Sequence, residues 1–290
     1  YTMKPLKTPL RQRGVTLVEL MVGLVIGLLV IAVAMGALMV SRGVSGTVSD
    51  ASGIQQQGAY MMRVMAAQLR QAGSLFLNTD PIGGNSTDPL SAVVFETNAL
   101  PADSSALAFN QDNTISGDAT AGSLTSTFRR YQDAVYTATT PVTLARNCLG
   151  GPAETSGDEA VQSIFDLDST TNELRCGGNG AAAQAIVRNV AQFQVTYLEQ
   201  AVAAGTTVKY VAANTVTNWR SVQGVQVCFV LYGDEAIELP AGTSADIVKR
   251  RSYIDCAGTS VDMASLTGQR RNRMHVVFRN VFQLRSQGLL

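Results

Sequence analysis

Histidine is almost absent from this chain: among 290 residues there is one, His275, and one tryptophan, Trp219. A single imidazole, placed by parity on the polar side of the last strand-like run, leaves no Ser/His/Asp or Cys/His constellation to build. The four cysteines, Cys148, Cys176, Cys228 and Cys256, include no Cys-x-x-Cys pair and stand far from His275 in sequence. That spacing argues against a zinc site. No glycine-rich phosphate cradle occurs. Asp166, Asp168 and Asn172 sit close together, but the glycine and closing glutamate of a calcium loop are missing, so a solvated turn is the plain reading. No metal or cofactor is expected, and no enzyme activity. Proline is missing between Pro9 and Pro81, which leaves room for one long helix. There is no second membrane-length apolar run, so the chain crosses a membrane once at most.

What is present is concentrated at the amino end. Four basic residues, Lys4, Lys7, Arg11 and Arg13, and no acid precede Gly14. A 26-residue apolar run from Val15 to Val40 follows at once. At about 1.5 Å per helical residue it reaches roughly 39 Å, enough to cross a hydrocarbon core of roughly 30 Å with some tilt. Positive charge beside an apolar span stays on the cytoplasmic side, so everything after the span is expected outside. One carboxylate, Glu19, lies near the start of the run. On insertion scales a charge in such a segment costs roughly 2.5–3.5 kcal/mol, so it calls for a reason.

A secretory signal would have a shorter apolar core, although Ala32-Val33-Ala34 has the form of its cleavage site. A plain signal anchor explains the length and not Glu19. A buried soluble helix would leave no solvated face. Gly23 and Gly27 form a small-xxx-small pair that lets another helix approach closely.

Formal charge is balanced at 22 basic and 22 acidic residues; removing residues 1–14 leaves 18 against 22, a net charge of −4. A mildly acidic chain gives no global electrostatic case for nucleic acid. The arginines Arg270, Arg271 and Arg273 could touch phosphates, but an exposed start to the last strand or a subunit contact is the simpler reading. All four cysteines lie beyond the apolar run, on the oxidising side. Four cysteines allow three connectivities. Cys148–Cys176 with Cys228–Cys256 is expected because both loops are short, each contributing roughly 3–4 kcal/mol in the chain-entropy model.

Beyond the apolar run, Ile54, Met61, Met65 and Leu69 lie on one helical face, and Gly73 suits a helix end. Gly43, Gly46, Gly53 and Gly58 each weaken the helix by about 1 kcal/mol relative to alanine, which predicts bending or local melting. Residues 74–123 are polar and turn-rich, with short apolar patches such as Val93-Val94-Phe95. Period-two patterns then dominate. Phe193, Val195 and Tyr197 share one parity, as do Val225, Val227, Phe229 and Leu231. At the end, Met274, Val276, Phe278, Phe282 and Leu284 oppose His275, Arg279, Gln283 and Arg285. Such runs predict antiparallel sheet with one polar face, covered by the helix. The fold class is α+β: a long amino-terminal helix packed on an antiparallel β-rich region.

The stretch Arg13-Gly14-Val15-Thr16-Leu17-Val18-Glu19 resembles the leader of type IV prepilins. The resemblance implies a leader at 1–14, a transmembrane helix at 15–40, its continuation at 41–73 and a β-rich domain at 74–290. It implies cleavage between Gly14 and Val15 by a prepilin peptidase and N-methylation of Val15. Phe is commoner than Val after the cut. It also implies that Glu19 pairs with the new amine of a neighbouring subunit as a register device; an unpaired buried charge is strongly unfavourable. Gln68-Leu69-Arg70-Gln71-Ala72-Gly73, the run Val222 to Val227 after Trp219, and the run Arg270 to Arg285 are similar to minor pilins of the PilW type. Their partners are other minor pilins, the major pilin and a large tip adhesin. They sit in the bacterial inner membrane and then in the fibre. A J-position pseudopilin of a type II secretion system would carry the same leader. A membrane-anchored adhesin or enzyme would use the helix merely as a tether.

Overall fold

The computed structural model describes residues 14–73, 76–77, 93–94, 114–118, 122–130, 132–154, 159–200 and 207–284. Lys4, Lys7, Arg11, Arg13, Phe95, Arg285 and most of the polar stretch 74–123 lie outside the described residues. The chain divides into two compact units, Tyr1–Ser49 and Asp50–Leu290.

Helix α1 spans Leu17–Gln71. In the first unit it contains Leu17–Met39, 23 residues with a mean hydropathy of 2.8, long and apolar enough to cross a membrane. Its large apolar side chains are all exposed, from Ile31 at 51% to Leu17 at 75%. The helical assignment continues through Gly43, Gly46, Gly53 and Gly58, so local melting is not what the glycine cost produces. At Gly58 the missing side chain has a use: a Cβ there would overlap the ring of Phe278.

In the second unit α1 presents Ile54, Met61, Met65 and Leu69 to the core, with Ala72 just past its end, none more than 4% exposed. Full burial of each large side chain contributes about 1.5–3 kcal/mol. The helix stops where Gly73 adopts φ +62°, a left-handed conformation that favours glycine. Its N–H then donates to the Thr127 carbonyl at 3.0 Å, pinning the helix end to a strand.

A short pair, β1 (Phe76–Leu77) and β2 (Val93–Val94), stands apart from the main sheets. Among the described residues one main sheet holds β3 (Ile115–Asp118), β4 (Ser123–Arg130), β5 (Glu159–Asp168), β6 (Glu173–Gly178) and β7 (Ala181–Val187) in sequential antiparallel order. The next strands are β8 (Val190–Gln200), β9 (Val208–Val211) and β10 (Val222–Ala236). A cross-over segment follows, with α2 (Ala245–Arg250) and the hairpin β11 (Ser252–Ile254) and β12 (Ser260–Asp262). The last strand, β13 (Arg273–Gln283), completes a second antiparallel sheet in the order β13-β10-β8-β9. The architecture is α+β.

Alternation along β10 places Val225, Val227, Phe229 and Leu231 on the core side, none above 1% exposure. The opposite side is not solvated as the patterning suggested. Cys228, Val230 and Tyr232 are buried there too. The cross-over segment reaches this side through the Cys228–Cys256 bond and through Tyr253, which stacks on His275 beside Tyr232. It is held by Arg251, whose Nε and Nη2 donate to both Asp262 carboxylate oxygens at 2.9 and 2.8 Å. Arg251 also donates to the carbonyls of Pro240 and Gly242 at 3.0 and 3.1 Å.

Polar groups fix how the helix and sheets register. Gln68 is buried, and its Nε2 donates to the Arg146 carbonyl at 3.2 Å while its Oε1 accepts from Ser163 Oγ at 2.9 Å. Ser163 Oγ in turn accepts the Cys148 N–H at 3.1 Å, and Ser126 Oγ donates to the Gln68 carbonyl at 3.2 Å. Arg130 is buried at 1% exposure and donates to the carbonyls of Pro152 and Ala153 at 3.0 and 2.9 Å. It anchors the 132–154 loop to β4. Between the sheets, Tyr197 donates to the Ser116 carbonyl at 3.3 Å and meets Trp219 edge-on at 4.9 Å.

Replacing Gln68 by alanine strands the Ser163 hydroxyl and the Arg146 carbonyl. Gln68→Ala is expected to lower stability by about 1–3 kcal/mol. Denaturant unfolding of the detergent-solubilised full chain measures it; an unchanged midpoint would show that water replaces the amide without cost.

Candidate functional site: the amino-terminal junction

Gly14 and Val15 are exposed just before α1, with Val15 at 70% exposure. Thr16 caps the helix: the Glu19 N–H donates to Thr16 Oγ1 at 3.3 Å, and the Leu20 N–H donates to the Thr16 carbonyl at 3.1 Å. Thr16 and Glu19 therefore sit at the positions of a capping box, Thr-x-x-Glu. The carboxylate lies in the first turn, where the helix dipole favours negative charge by roughly 0.3–1 kcal/mol. Glu19 thus has a reason within its own chain, which its charge alone did not reveal. The Thr-x-x-Glu spacing was the available signal.

Gly23 and Gly27 show the reverse. A Cβ on either would meet nothing within 4 Å, so nothing in the described part of this chain requires glycine there. The contrast is Gly58, where the chain's own Phe278 fills the space.

The other residues singled out from the sequence are scattered over the second unit. Cys148 is bonded to Cys176, with Cα atoms 6.3 Å apart, and Cys228 to Cys256 at 5.7 Å. The first bond ties the 132–154 loop to β6. The second ties the cross-over segment to β10, beside a Cys256 N–H that donates to Gln192 Oε1 at 3.1 Å. Two members of the arginine cluster are engaged locally. Arg270 donates to Asn172 Oδ1 at 2.5 Å, and Arg273 donates to the carbonyls of Gly233 and Asp234. Arg271 is exposed.

Asp168 closes a turn, accepting from the Thr170 and Thr171 N–H groups at 2.9 and 3.3 Å, and pairs with Arg175 at 2.9 Å. The Thr170 N–H, with Thr171 and Arg175, holds its carboxyl below the ordinary value. Neighbouring Asp166 is pushed up by burial. Among the described residues no group of three His, Cys, Asp or Glu side chains is placed to hold a metal.

His275 keeps the parity expected of it but not the solvent. The hairpin β11–β12 covers it, stacking Tyr253 on its ring at 4.7 Å, and Nδ1 meets the Arg273 carbonyl at 2.9 Å. Burial lowers its pKa, and nearby Arg270 adds to the effect.

Glu199 was not singled out from the sequence. Its Oε1 accepts from the Thr217 hydroxyl and N–H at 2.6 and 2.9 Å and from the Asn218 N–H at 2.7 Å. Desolvation raises its pKa, but these hydrogen bonds and Lys209 outweigh it and leave the carboxyl below its ordinary value.

A basic amino-terminal stretch, a glycine, a capped helix with one early carboxylate and a membrane-length apolar stretch are features of the prepilin class of membrane-anchored subunits. Two family profiles match: the prokaryotic N-terminal methylation motif over residues 9–35 and type IV pilus-assembly protein W over residues 155–286. Together the two matches support a PilW-type minor pilin of type IV pili. Its apolar helix and motif mark a membrane-anchored, pilus-associated protein. No curated protein matches the chain. A solved type IV-like pilin from Thermus thermophilus aligns at 15% identity over 60% of this chain and 84% of its own, with a TM-score of 0.29.

A carboxylate with a depressed folded pKa stabilises above its unfolded value and loses that contribution as pH falls. Stability is therefore expected to decline as pH drops below the ordinary glutamate value of 4.5. Glu199→Gln should flatten that decline in denaturant midpoints measured against pH; an identical profile would remove Glu199 from the acid response.

Proposed function

We propose that the protein is a non-catalytic structural subunit that takes part in priming and assembling a type IV pilus. It inserts in the bacterial inner membrane once, with a cytoplasmic amino end and the β-rich domain in the periplasm. A prepilin peptidase cuts between Gly14 and Val15 and methylates the Val15 amine. The single observation that carries this reading is the junction: Gly14, the Thr16 cap, Glu19 in the first turn and the exposed apolar helix follow one another without a gap.

After the cut a positive amine lies one turn from Glu19. When helices gather in the low-dielectric core of a fibre, each carboxylate needs a cation, and a neighbour's amine supplies it at one axial offset. Gly23 and Gly27, which no contact in the described chain requires, give neighbouring helices room to approach. The partners are other minor pilins, the major pilin and a large tip adhesin. The profile match over residues 155–286 supports a pilus subunit over a J-position pseudopilin.

Mass spectrometry of the mature chain tests the processing step: an amino terminus at N-methylated Val15 is expected, and residues 4–14 retained in a functional strain would overturn it. A clean deletion should sharply reduce surface pili and twitching, whereas unchanged piliation would remove the assembly role. Two substitutions separate the duties of Glu19. Glu19→Gln keeps a capping side chain and removes the charge; Glu19→Ala removes both. If the charge pair governs assembly, both impair piliation with expression and insertion intact. A mere tether predicts indifference to either.

A further inference from the structure

The helix segment from Asp50 to Gln71 buries one side, and its other side has a sign. Gln56, Tyr60, Arg63, Ala67 and Arg70 follow at intervals of four, three, four and three residues and are all exposed. That is the spacing of a coiled-coil seam. It lies opposite the buried row of Ile54, Met61, Met65 and Leu69. Tyr60 is 52% exposed, unusual for an aromatic with no partner to cover it. Arg63 and Arg70 have no ion-pair or hydrogen-bond partner among the described residues. The segment's one carboxylate, Asp50, is engaged, accepting the Glu235 N–H at 2.7 Å. The seam therefore carries two free guanidinium groups and no free acid.

We propose that this seam receives a helix of a different fibre subunit, one carrying carboxylates at seven-residue spacing, and rejects a second copy of itself. The proposal names a partner for the assembly role above and rests on that reading. The two arginines lie about 10.5 Å apart along the axis, so carboxylates one heptad apart on a facing helix meet both. Each pair can be bidentate. Tyr60 and Ala67, at the alternating positions, supply a ring and a gap for interdigitation. Two copies laid seam to seam would instead bring four guanidinium groups together, and like charges across an interface cost several kcal/mol. Charge complementarity thus selects a heteromeric neighbour and limits this chain to single insertion at that contact.

The test uses the full chain in its own membrane, with a photoreactive residue at position 67 and, as control, at exposed position 170. Position 67 should cross-link to another subunit whose peptides show carboxylates at heptad spacing, and position 170 should not. Arg63→Glu with Arg70→Glu should cut that product at least about tenfold, and Arg63→Lys with Arg70→Lys should keep most of it. Reversing the partner's carboxylates to lysine should restore cross-linking to the Glu variant. A product of twice the chain's own mass, a nucleic-acid adduct, no product, or a product indifferent to charge reversal each overturns the proposal. The mature amino terminus is read in the same sample. A chain starting at Val15 that fails here sinks the seam alone; an uncut chain sinks the subunit reading.

Discussion

The apolar stripe Ile54, Met61, Met65, Leu69 and Ala72 is the contact on which the second unit depends, because it serves both sheets at once. Near Gly58 the helix meets Phe278 of the four-stranded sheet; at its end Gln68 and Gly73 bond to the five-stranded one. Neither sheet could bury its inner face without it, since each is a single layer with polar residues alternating along its strands. Hydrophobic burial supplies the drive without fixing direction. The directional part comes from Gln68, whose amide finds partners at one helix position only. A helix displaced by one residue would leave the amide and the Ser163 hydroxyl unpaired in an apolar setting, a cost of about 1–3 kcal/mol.

The same division of labour recurs away from the helix. Apolar alternation builds β10 and its neighbours, while buried and half-buried charges hold the irregular segments. Arg130 collects the carbonyls of the 132–154 loop, Arg251 and Asp262 fasten the cross-over segment, and Glu199 gathers the turn before β10. Each charge has hydrogen-bond partners where it sits, the condition under which burying charge is tolerable. The two disulfides then fasten the first two of those segments, one apiece, to the nearest sheet.

The class of fold was legible in the sequence because it rests on periodicity. The 3.6-residue stripe and the alternating runs at 193–197, 225–231 and 274–284 are local patterns, and the α+β architecture follows from them. What covered the outer side of β10 was not legible. Parity put His275 on a polar face, but parity cannot say that the hairpin carrying Tyr253, 22 positions earlier, folds back over it. The loop-holding arginines were hidden for a related reason: Arg130 lies in an unremarkable Phe128-Arg129-Arg130 run, and its acceptors are backbone carbonyls that no side-chain pattern announces. At the amino end the leader pattern was plain, whereas the cap that Thr16 places on the Glu19 N–H needed the spacing to be read as geometry.

The disulfides also have a mechanical meaning for any subunit that is pulled. Each joins cysteines separated by 28 positions. At about 3.4 Å per extended residue, each loop removes roughly 95 Å of chain from what tension could draw out. The covalent path jumps from Cys148 directly to Cys176, and from Cys228 directly to Cys256. A load passing along the domain therefore bypasses residues 149–175, which include the fifth strand, and residues 229–255, which include the second half of β10, α2 and β11. These parts can lose their hydrogen bonds under force without lengthening the molecule, so the domain is short on slack even where it is rich in loops.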